Sequence, residues 1–145
     1  MKHHIITICC SASFYKQALE TQEVLRKRGF KVMIPHTANK MEKSGDYRTE
    51  TYKTWYKNPK DYKKKAALMR QHFKKVMECD AILVLNYEKN GVRGYIGGNT
   101  LMEMALAFHL RKPIYILNPV SESSPLYEEI LGMNPVFLKG SLKKL

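Results

Sequence analysis

The sequence predicts an α/β fold: a doubly wound, flavodoxin-like three-layer sandwich around a mostly parallel sheet of about five strands. Three observations point there. Short β-branched runs alternate almost without exception with segments of helical periodicity. The run DAILVLN at 80–86 is continuously apolar, as suits a strand covered on both faces. The length, 145 residues, fits one domain spanning 1–145 with a sizeable core.

The elements follow in order. HIITICC (4–10) is rich in β-branched residues and reads as a buried strand. Residues 15–28 place Tyr15, Ala18, Leu19 and Leu25 near helical spacing, and Gly29 stops that helix. FKVMIP (30–35) is a second strand, ended by Pro35. Residues 37–60 are polar and aromatic without a clear period. They read as a long loop, and long loops in compact domains are often lids. This loop opens a basic, aromatic insertion around 37–65. Residues 61–78 are helical, with Ala66, Met69, Phe73 and Val76 on one stripe. DAILVLN follows as the third strand. An apolar helix spans 100–111, and PIYILN (113–118) is the fourth strand. SSPLYEEILG (123–132) is a short helix with Pro125 at its start and Gly132 at its end, and PVFL (135–138) is the last strand.

In such sheets ligands bind beyond the carboxyl ends of the strands, where the strand order reverses. For a flavodoxin-like order this point lies between the first and third strands. Two loops should meet there: Cys10-Ser11-Ala12-Ser13-Phe14, and the segment from Asn86 to Thr100.

Charge narrows the class of ligand. The formal net charge is +12. Residues 53–75 hold nine Lys or Arg against one acid, Asp61. Such a field attracts nucleic acid, nucleotides or phosphorylated small molecules, and it also suits a solvated helix face. Three cysteines, two of them adjacent, with no CxxC, argue against a disulfide framework or zinc site and for a cytoplasmic protein. The histidines show no metal-binding spacing, and neither a metal nor a cofactor is expected. No apolar run is long enough for a membrane span, and the start lacks the cleavage pattern of a signal peptide.

GYIGGNTLMEMALAF (94–108) carries the chemistry. A single acid, Glu103, interrupts an apolar run. Two readings stand side by side. Thr100-Leu101-Met102-Glu103 matches a T-x-x-E capping box, which would tie Glu103 to its own helix start. Alternatively, a carboxylate at the switch-point crevice can attack the anomeric carbon of a sugar. The glycines at 94, 97 and 98 would let the backbone approach a ligand there and free helix N–H groups for it, with Gly97, Gly98 and Asn99 as candidate substrate contacts. The segment is neither a Walker A nor a GxGxxG motif.

GGNTLMEMALAFHLRKPIYIL resembles the segment of the nucleoside 2-deoxyribosyltransferase-like family in which a Gly-rich loop opens a helix. Glu103 is followed by Ala105 and Ala107, then by Lys112 and a hydrophobic strand, as in that family. CDAILVLN is similar to its acid-then-apolar strand. The resemblance implies cleavage or transfer at an N-glycosidic bond, with Glu103 as the nucleophile and a nucleoside or nucleotide as substrate. It also implies that the 11–14 loop (Ser11, Ser13, Phe14) touches sugar, base or phosphate. The region of Asn118 completes a neighbour's site in some members, which implies a homo-oligomer. Two departures stand out. Family transferases carry an acid six positions before the Glu, where Gly97 stands. The family Asp on the preceding helix is replaced at about Gln71 or His72. His72 is therefore the candidate proton donor or orienter. These departures point away from base exchange and toward hydrolysis or a lost activity.

The remaining polar residues divide by position. Asp80 begins its strand, about 20 Å from the crevice, and reads as a structural cap. Asn86 lies at the crevice end, as a ligand contact or a turn former. Tyr52, Trp55, Tyr56 and Tyr62 alternate with lysines and suit base stacking or packing of the loop. The leading expectation is thus a nucleotide N-glycosidase. A non-catalytic nucleotide or nucleic-acid binding module on the same fold is the alternative, with nucleic acid the less favoured partner. A nicotinamide nucleotide substrate is a third reading.

Overall fold

The computed structural model describes residues 3–145. It is an α/β fold around a five-stranded, all-parallel sheet in the order β2-β1-β3-β4-β5, consistent with a flavodoxin-like three-layer sandwich. The elements are β1 (Ile5–Cys10), α1 (Tyr15–Lys27), β2 (Lys31–Met33), α2 (His36–Ser44), α3 (Thr49–Tyr52), α4 (Tyr62–Glu78), β3 (Ala81–Leu85), α5 (Gly98–His109), β4 (Ile114–Ile116), α6 (Tyr127–Gly132) and β5 (Val136–Phe137). Among the described residues no helix is long and apolar enough to cross a membrane.

The two-residue period of the strands sorts the core into two layers. Ile6, Ile8 and Cys10 of β1 join Ala81, Leu83 and Leu85 of β3 on one face, under Ala18 and Leu25 of α1. Cys9, Ile82 and Val84 point to the other face, with Val76 of α4 and Met104 and Ala107 of α5. Both faces of β3 are covered, as its unbroken apolar run requires. Asp80 ties the far end of the sheet: its carboxylate accepts from the N–H groups of His4 and Ile5, both at 2.8 Å. These bonds hold the carboxyl below its usual range.

Two expectations need correction. Residues 37–60 are not one long loop. They form α2 and α3, joined by a bend in which Asp46 accepts from the Arg48 guanidinium and the Thr51 hydroxyl. Helix α2 buries only Ala38 and Met41, too few positions to write a stripe. It ends at Gly45 in the left-handed conformation.

The capping box also does not form. Helix α5 begins at Gly98, two residues before the expected start, with Gly97 as N-cap and no side-chain cap bond. The first helical bond runs from Leu101 N–H to Gly97 O at 3.0 Å. Thr100 is therefore buried inside the first turn, and Glu103 moves to the second.

A candidate active site at the switch point

The strand order reverses between β1 and β3, whose crevice ends meet in the pair Cys10 and Leu85. A two-chambered cleft opens there. The inner chamber has about 60 Å³ of free volume and is lined by Tyr15, Trp55, His72, Asn99 and Glu103. The outer chamber has about 270 Å³ and is lined by Ser11, Lys53, Lys65, Lys89 and the start of α5. Ala12, Tyr15, Lys53, Lys65 and Asn99 line both, so the chambers adjoin.

Glu103 is 3% exposed, at the floor of the inner chamber. One carboxylate oxygen accepts from the Asn99 amide at 3.2 Å. That spacing follows from the helix, because residues four apart share a face. The Asn99 carbonyl oxygen in turn accepts from the Lys65 ammonium at 3.2 Å, which links α4 to α5. The other carboxylate oxygen lies 3.9 Å from His72 Nε2. Burial pushes the Glu103 carboxyl up to about 8, and the Cys9 thiol, Lys65 and Asn99 only partly offset it. The carboxyl is therefore mostly protonated at neutral pH.

His72 is buried beside it. Its Nε2 donates to the carbonyl of Ile8 at 3.0 Å and lies 3.6 Å from Cys9 Sγ. Burial, reinforced by Lys75, lowers its pKa to about 4, so the ring is neutral at pH 7. With the Nε2 proton held by a backbone carbonyl, the ring in this arrangement orients the floor of the chamber. Its Nδ1 is buried and has no hydrogen-bond partner among the described residues. Cys9, His72 and Glu103 place their ligating atoms within 4.8 Å of one another, the composition of a transition-metal site. Here the Nε2 lone pair is occupied by a proton, and burial holds the Cys9 thiol well above its usual range. The trio forms a cluster of neutral groups.

The other expected site residues distribute unevenly. Gly97, Gly98 and Asn99 line the outer chamber with Ser11, whose hydroxyl accepts from Lys89 at 3.2 Å. Ser13 is exposed and lines neither chamber. Phe14 is buried in the core, edge-on to Tyr87 and Tyr95 at 5.4 and 6.5 Å. Asn86 and Asn118 are spent on each other. The Asn86 amide donates to Asn118 O at 2.7 Å, and the Asn118 amide donates to Asn86 O at 3.1 Å. Asn118 N–H also donates to the Asn86 side chain at 2.8 Å. This clasp joins the ends of β3 and β4 and faces a separate cleft formed by residues 87–94 and 118–123.

Four site residues were not singled out by sequence reasoning. Lys53 and Lys65 were visible only as members of a basic run. Lys89 sits in a turn with no pattern. Cys9 looks like any buried strand residue. Its one signal is register, because a strand residue next to the crevice end and on the α5 face must meet that helix. No protein-family model matches the chain, and no curated protein matches it.

Proposed function

We propose that the protein cleaves the N-glycosidic bond of a nucleotide, with Glu103 as the nucleophile and a 2′-deoxynucleotide as the favoured substrate. The observation that carries this reading is the adjacency of a buried carboxylate to a chamber lined by three lysines. A sugar over Glu103 would place its phosphate among the ammonium groups. A Glu103 oxygen would form the bond to C1′ as the bond from C1′ to the base breaks. The base leaves with the bonding pair and takes up one proton, which balances the proton Glu103 gives up. Water then attacks C1′, releases the sugar phosphate and restores the carboxyl group. Asn99 and His72 would hold the carboxyl oriented, and the low-dielectric floor would strengthen its pull on the developing positive sugar. Among the described residues no second acid lines either chamber, such as base exchange uses in the resembling family, so the expected reaction is hydrolysis.

The test is chromatography of free base released from deoxynucleoside monophosphates, deoxynucleosides and ribonucleotides, with Glu103→Gln as control. Release by the wild type alone supports the reading. One observation favours a second reading, a nucleotide-binding module without turnover: the carboxyl is neutral at rest. Tight nucleotide binding with no base released would select it.

A further inference from the structure

The outer chamber gathers three ammonium groups around one cavity. Lys53, Lys65 and Lys89 all line it. Among the described residues none of the three forms an ion pair within 4.0 Å. Lys65 donates to an amide oxygen and Lys89 to a hydroxyl, both neutral. Lys89 and Lys65 both lie close enough to repel Lys53: burial, then these two, holds the Lys53 ammonium below its usual pKa. The chamber also receives the start of α5, a 12-residue helix whose N-cap Gly97 offers no side chain. The N–H groups of Gly98, Asn99 and Thr100 thus have no intrahelical acceptor.

Three positive charges and a helix start face a cavity whose one nearby acid, Glu103, is held neutral. A phosphate monoester brings only about 1.5 to 2 negative charges at pH 7. A terminal diphosphate carries at least one more, whereas a 5′–5′ pyrophosphate bridge carries about two in all, one on each phosphate, spread over a longer group. The outer chamber has room for either, with over four times the free volume of the inner one.

We propose that the outer chamber is a diphosphate subsite. It takes a pyrophosphate group, supplied by a nucleoside 5′-diphosphate or by a dinucleotide with a 5′–5′ pyrophosphate bridge. The proposal rests on the reading of the inner chamber as the sugar site and sharpens its substrate class. The rim offers a way to tell the two sources apart. Tyr56 lines the outer chamber and is 75% exposed, a free ring on which a second base can stack.

The chain's single tryptophan, Trp55, lines the inner chamber with the Lys65 ammonium 5.6 Å from its ring centre, and its fluorescence reports on occupancy. The experiment titrates the protein with inorganic phosphate and with pyrophosphate. Calorimetry reads the same pair, and circular dichroism checks that each variant is folded. Pyrophosphate should bind at least about tenfold tighter than phosphate. Lys53→Ala and Lys89→Ala should each remove most of that preference. Equal affinity for the two anions, or a preference that survives both substitutions, overturns the subsite. Titration with a deoxynucleoside diphosphate and with nicotinamide adenine dinucleotide then identifies the source. Tyr56→Ala should weaken only the dinucleotide. The glycosidase reading is scored separately by base release. Release from monophosphates without a pyrophosphate preference sinks the subsite and keeps the enzyme. A preference without release from any nucleotide does the reverse.

Discussion

The carboxyl group of Glu103 and the imidazole of His72 approach to 3.9 Å, and neither is charged at neutral pH. Burial moves the two pKa values in opposite directions, up to about 8 for the acid and down to about 4 for the base. Charging either group in the closed chamber is opposed by the same low dielectric.

The pair should leave a signature in stability against pH. Glu103 has a raised folded pKa, so its contribution is complete below the usual carboxylate range and is lost as pH rises toward about 8. His72 has a lowered folded pKa, so its contribution is complete above the usual imidazole range and is lost as pH falls toward about 4. Between roughly pH 4.5 and 6.5 the two slopes oppose each other. Above that, only the Glu103 loss remains, on the order of 1 kcal/mol per pH unit up to pH 8. Urea melts from pH 4 to 9 should show a plateau and then this decline. Glu103→Gln should flatten the decline. A variant as steep as the wild type would assign the slope to other groups.

Activity should carry the same pKa. For a Glu103 nucleophile that attacks as the carboxylate, its proton having gone to solvent, kcat/KM should climb with pH, with its midpoint near 8 and a plateau above that. Asn99 donates to the carboxylate and so lowers its pKa. Asn99→Ala should move the rising limb to higher pH and lower the rate at pH 7 by roughly tenfold. A profile that keeps its midpoint in Asn99→Ala argues that the amide does not tune the acid.

The three thiols should be inert in the folded protein. Cys9, Cys10 and Cys79 are all buried, and burial raises the pKa of each. A chromogenic disulfide reagent at pH 8 should react with fewer than one thiol per chain on the minute scale and with three after addition of denaturant. Rapid native reaction at Cys9 or Cys10 would show that the crevice opens.

Gly94 should tolerate no side chain. Its φ is +62°, and a Cβ would lie 2.1 Å from the carbonyl oxygen of Pro119. Asn86 Nδ2 is also only 3.2 Å from that Cβ position. Gly94→Ala should destabilise the protein by about 2 kcal/mol or more, read as a shift in urea midpoint. Gly98→Ala is the contrast, because a Cβ there meets nothing within 4 Å.

Much of the fold is legible in the sequence because burial writes periodicity. The α1 segment buries a stripe, the longer α4 keeps Ala66, Met69 and Phe73 half-buried in line with buried Val76, and β3 buries both faces, so their residue patterns announce them. The α2 segment buries two side chains three residues apart, and a pattern that sparse cannot be told from a loop. The T-x-x-E pattern places the start of α5 two residues late, because the helix begins at Gly98 with no side-chain cap. In the cleft, Glu103 stands out as the lone acid of an apolar helix, and Asn99 lies one turn before it. Cys9 and Lys89 were invisible as site residues. A buried strand cysteine and a turn lysine acquire meaning only when register and loop path bring them to the crevice. Asn86 and Asn118 illustrate the reverse. Amides at strand ends look available in sequence, and here the chain has already used them on each other.

That clasp has a consequence for how the protein can change over evolutionary time. Because three hydrogen bonds between Asn86 and Asn118 close the sheet at β3 and β4, the loops beyond them hang from a fixed hinge line. Insertions or deletions in residues 119–126 can reshape the neighbouring cleft while the Glu103 chamber, on the other side of β3, keeps its walls. The shape of that neighbouring cleft and the walls of the Glu103 chamber are thereby separable traits, open to independent drift.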